Sequence, residues 1–90
     1  NAQWTSTLLH ELGHAVYDKY HDFDLPFLLR QPAHTLSTEA IAMLMGRLPY
    51  HAGWLADVLG LTEAQIAAVA PASSQQQRLN MLTFVRWALV

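Results

Sequence analysis

The chain contains no cysteine, which excludes disulfides and thiolate metal sites and leaves the compartment open. Positive charge is scarce: Lys and Arg total 5 against 7 Asp and Glu, for a net charge of -2. With no basic run or stripe, nucleic-acid binding has no electrostatic support, and no such partner is expected. No apolar run approaches the roughly 20 residues of a membrane span and no signal peptide is visible, so no membrane partner is expected either. Charge of both signs is thin, at 13% of residues, whereas 52% are hydrophobic. That is rich for 90 residues, because a small domain leaves much of its surface in water. The composition suits a piece of a larger protein, and its exposed apolar faces are expected to self-associate.

What is present reads as helix throughout. Apolar residues recur at helical spacing from Trp4 to Tyr20, with Thr5 or Ser6 as N-cap, which predicts a first helix over 5–20. Residues 21–34, punctuated by Asp22, Asp24, Pro26 and Pro32, read as a structured loop whose apolar patch docks on the core. A second helix is expected over 36–48, capped by Thr35 or Ser37 and closed by Pro49. Further helices are expected over 50–59, ending at Gly60, over 62–70, opened by a Thr62/Gln65 capping box and ended by Pro71, and over 74–90. No strand or repeat emerges. The expected fold is all-α, about four to five helices in a single unit over 1–90.

The first helix carries His10-Glu11-Leu12-Gly13-His14. Residues four apart lie one above the other on a helix, so His10 and His14 can aim both imidazoles at one point. Zn2+ suits that point: a catalytic zinc takes three protein ligands and keeps a fourth position for water. Glu11, one position after the first histidine, could reach that water as general base. With five histidines in the chain, chance alone would give the pattern in roughly one shuffled sequence in a hundred, so the helical context matters. Gly13 costs the helix about 1 kcal/mol against Ala, which suggests a close approach by another backbone or by substrate, with a neutral packing glycine as the alternative.

A third ligand has to come from elsewhere. The extended pattern with a third histidine six residues on is absent, because Tyr17 and Tyr20 stand at the glycine and histidine positions. Glu39 lies between the motif and Glu63 at the start of an apolar helix, where a carboxylate needs a partner, and it is the expected ligand. Asp22, Asp24, His21 and His34 compete for the role. Asp18, one turn beyond His14, is better placed to accept a hydrogen bond from an imidazole N–H. His21, His34 and His51 read as loop or packing histidines.

Together His10-Glu11-Leu12-Gly13-His14, the Asp24-to-Arg30 segment, Glu39-Ala40-Ile41 and Leu79-Asn80-Met81-Leu82 resemble the catalytic core of the angiotensin-converting-enzyme-like zinc peptidases. Part of the pattern is shared with the thimet-type oligopeptidases. The resemblance implies a mostly helical gluzincin several hundred residues long, with zinc on His10, His14 and Glu39 and with Glu11 as base. It also implies a deep cleft that takes a short peptide substrate, often removing dipeptides from its C-terminus. Three departures accompany it. Met43 stands where the family usually has an acidic residue, four after the glutamate, and Thr38 stands where it often has histidine. The family's oxyanion-stabilising tyrosine and histidine fall beyond Val90, so these residues alone are expected to be weak catalysts or none. Met43 also supports an alternative: a non-catalytic helical module whose motif serves packing or structural metal binding.

Overall fold

All 90 residues are described by a computed structural model, and every regular element in it is helical. The all-α expectation holds. Helix α1 spans Ala2–Lys19, α2 Phe27–Arg30, α3 Thr35–Gly46, α4 Ala52–Asp57 and α5 Glu63–Leu89, with a 3-10 turn at Leu48–Tyr50. The chain divides into two compact units, Asn1–Pro49 and Tyr50–Val90, where a single unit was expected. The cohesion of each is internal: α1 pairs with α3 in the first, and α4 with α5 in the second.

In the first unit α1 begins earlier than its periodicity suggested. Asn1, not Thr5 or Ser6, is the cap, its side-chain oxygen accepting from the Gln3 N–H at 3.0 Å. The hydroxyls of Thr5 and Thr7 instead donate to carbonyls four residues back, those of Asn1 and Gln3. The loop over 21–34 contains the short α2, after Pro26, and Arg30 Nε closes it by donating to the Leu25 carbonyl at 2.6 Å. The apolar patch expected to dock there is largely in water: Phe27, Leu28 and Leu29 are all exposed. Helix α3 is capped by His34, whose Nδ1 accepts from the Leu36 N–H at 2.9 Å, in place of Thr35 or Ser37.

Helices α1 and α3 run antiparallel, since Ser6 meets Gly46, Gly13 meets Ala42 and His14 meets Thr38. The contact is made by small residues. A Cβ built on Gly13 would lie 2.7 Å from the Ala42 Cα, and Ala42 is fully buried. The close approach that Gly13 suggested is therefore made by a neighbouring backbone. Ser6 ties the far end of the contact, its hydroxyl donating to the Gly46 carbonyl at 2.6 Å. The larger apolar residues of α1, namely Trp4, Leu8, Leu12 and Val16, follow one another at intervals of four on a face that stays exposed.

In the second unit His51 caps α4, and Leu55 is buried. Gly60, at φ 66°, adopts the left-handed conformation that turns the chain toward α5 without a Cβ penalty. The capping box at Thr62 and Gln65 is present. Pro71 does not end the helix there: α5 continues through it to Leu89, merging the two helices expected over 62–70 and 74–90. A proline removes one N–H donor, and the flanking Ala and Gln residues are strong helix formers on both sides. Where a helix over 50–59 was expected, the 3-10 turn and the shorter α4 stand instead.

Candidate metal centre

The antiparallel contact of α1 and α3 brings His10, His14 and Glu39 together. The His10 and His14 Nε2 atoms are 3.2 Å apart, and their rings meet edge to face with centroids 4.9 Å apart. The Glu39 carboxylate straddles the pair, one oxygen 3.6 Å from His10 Nε2 and the other 3.5 Å from His14 Nε2. Taking one ligand atom from each residue, all lie within 4.8 Å of one another. The three side chains form a group that could hold a metal ion.

Geometry and chemistry both fit that role. Bonds of about 2.0–2.1 Å to a tetrahedral ion place neighbouring ligand atoms about 3.3 Å apart; the two Nε2 atoms already stand at 3.2 Å, whereas each meets a different Glu39 oxygen, so the carboxylate would turn slightly to present one oxygen to the ion. Two imidazoles and a carboxylate are a donor set for a borderline divalent cation, and they offset one of its two charges. The side chains of His10, His14 and Glu39 are 30%, 26% and 43% exposed, so the cluster is reachable from solvent. A ligand exchanging at a fourth position would have a way in.

The spacing of the α1 ligands is that of one helical turn, and Gly13 between them lets the ligand-bearing turn of α3 come close. Glu39 sits in the second turn of α3, which His34 starts. Thr38, the residue before it, places Oγ1 2.8 Å from His14 Nδ1. That is the imidazole contact expected of Asp18. Asp18 instead is exposed, and its side chain bonds to neither histidine. In the sequence Thr38 is only a departure from a family pattern; its partner follows from the packing of α3 against α1.

Glu11 is exposed on α1 and makes no hydrogen bond or ion pair. It is not among the converging ligands. The other histidines act locally. His34 and His51 accept from helix N-termini, and His21 packs edge to face on Tyr17 at 5.0 Å with its Nε2 buried and unbonded. Asp22 turns back on its own loop, accepting from the Asp24 N–H at 2.9 Å. None of these competitors joins Glu39 at the cluster. Compared with protein-family models, curated proteins and solved structures, the chain gives no match in any of the three.

Proposed function

We propose that the chain forms the metal-binding part of a zinc-dependent peptidase that cleaves short peptides, of the dipeptidyl-carboxypeptidase or oligopeptidase type. The observation that carries this reading is the convergence of His10 Nε2, His14 Nε2 and the Glu39 carboxylate, one ligand atom from each lying within 4.8 Å of the others. A two-histidine, one-glutamate set with an open position is one of those that catalytic zinc sites use, and the one found in zinc peptidases. The resemblance of the motif and of Glu39-Ala40-Ile41 to the angiotensin-converting-enzyme-like peptidases adds the substrate class.

When bound, a zinc ion would supply Lewis acidity to the scissile carbonyl and lower the pKa of water to about 7. His10, His14 and Glu39 would hold it, with Glu39 as the single charged ligand. Glu11, one position round the helix from His10, takes the proton of the attacking water and returns it to the amine as the C–N bond breaks. Nothing in the structure holds its carboxylate elsewhere. Glu11→Gln keeps the shape and removes the base, so hydrolysis of short peptides by the protein in its full natural form should fall at least about 100-fold with zinc content unchanged. Activity within about tenfold of wild type would contradict the assignment.

One observation favours a second reading, a helical module that binds metal structurally or packs its motif without catalysis. Met43 offers no carboxylate to either zinc-site histidine. Under that reading the zinc-loaded protein cleaves no member of a short-peptide library.

A further inference from the structure

We propose that Thr38 is the positioning residue of His14: its hydroxyl accepts a hydrogen bond from Nδ1–H and so keeps the Nε2 lone pair turned toward His10 and Glu39. The zinc arm of the test rests on the peptidase reading; the positioning itself does not.

At 2.8 Å the Nδ1–Oγ1 contact is the shortest polar contact made by any member of the cluster. A neutral imidazole carries one N–H and one lone pair, so whatever occupies Nδ1 decides what Nε2 can do. The alternatives to Thr38 are absent from that nitrogen: Asp18 is exposed and makes no bond to the ring, and Met43 has no comparable acceptor. Thr38 is half-buried on α3, and of the two χ1 positions a helical threonine favours, the one adopted aims the hydroxyl at Nδ1. Because it precedes Glu39, a single turn of α3 delivers both the carboxylate ligand and the group that aims the facing histidine.

The assignment also settles the contact between the two imidazoles. With His14 protonated at Nδ1, its Nε2 is an acceptor, and the 3.2 Å approach is satisfied by His10 donating from its own Nε2–H in the metal-free chain. A hydroxyl has a consequence that a carboxylate in the same place would not. It orients the ring while adding no negative charge, so the cluster's charge comes from Glu39 alone.

The test uses the 15N-labelled, metal-free chain, observed by imidazole nitrogen NMR about two pH units above the ordinary histidine pKa of about 6.5. His14 should be protonated at Nδ1 in wild type and in Thr38→Ser, and should lose that preference in Thr38→Val. Wild-type His14 protonated at Nε2 overturns the proposal whether or not any variant folds. Zinc titration of the same samples, with helicity checked by circular dichroism, should show affinity reduced roughly 10- to 100-fold in Thr38→Val and restored by Thr38→Ser. Zinc binding that is indifferent to Thr38, with the tautomer unchanged in Thr38→Val, overturns the positioning role and leaves the peptidase reading intact. The expected tautomers with no zinc binding in any sample would support the positioning and remove the peptidase reading.

Discussion

A Cβ added at Gly13 would meet backbone on α3, lying 2.7 Å from Ala42 Cα and 3.2 Å from both Ala42 N and Ile41 O. Backbone cannot swing aside as a flexible side chain can. The roughly 1 kcal/mol that alanine adds to helix propensity is therefore outweighed by the overpacking cost of about 1–3 kcal/mol. Gly13→Ala should lower stability in denaturant titration and weaken zinc binding with it, since the ligands sit on the two helices it forces apart. At Gly46 the nearest atoms to a new Cβ are 3.4–3.5 Å away, which is ordinary contact, so Gly46→Ala should leave both readouts nearly unchanged. A Gly13→Ala chain as stable as wild type would mean that the α1–α3 approach is looser than described. At this scale the sequence was uneven. His10 and His14 were legible because covalent spacing along one helix fixes their relation; Gly13 was legible only in part, since a glycine inside a helix suits a close approach and neutral packing alike. Thr38 was not, since its partner lies 24 residues away and depends on how two helices pack.

Helix ends and interruptions make up the next scale. The Thr62 and Gln65 pair was readable from sequence because a capping box is a local exchange: the Gln65 N–H donates to Thr62 Oγ1 at 3.3 Å, and the Thr62 N–H to Gln65 Oε1 at 2.9 Å. Thr62→Ala should cost about 1 kcal/mol of α5 stability, seen as a loss of helicity by circular dichroism. Pro71 misled because a proline weighs against helix one position at a time, whereas the helix is decided over its whole length. Replacing it restores one N–H donor and removes a ring clash. Pro71→Ala should raise the melting temperature, by a free energy of up to about 3 kcal/mol; a lower melting temperature would mean that the helix uses the proline for its shape. The caps at Asn1, His34 and His51 were missed for a related reason. Asparagine four residues before the expected start was outside the periodic segment, and histidine is not among the usual capping residues, although its ring nitrogen can accept an N–H as a carboxamide oxygen does.

Over the whole molecule, Ala42 and Leu55 are the only buried hydrophobic residues, while Trp4, Leu8, Leu28, Leu82 and Trp87 are among many large apolar side chains left exposed. The all-α class could be read from periodicity, but the burial of each face could not. In α1 the face pressed against α3 is the one with serine, glycine and histidine, and the apolar stripe lies outside it. We propose that these stripes self-associate, with molar mass in light scattering rising with concentration; a monomer at high concentration would contradict this. Function rests on the ligand triad, and calorimetric titration of zinc into the chain at neutral pH tests whether His10, His14 and Glu39 hold the ion. One zinc should bind per chain, and Glu39→Ala should weaken it by at least the 10- to 100-fold that loss of a ligand's hydrogen-bond partner costs, because here the ligand itself is lost. No binding by the folded chain, or binding that Glu39→Ala leaves unchanged, would contradict it.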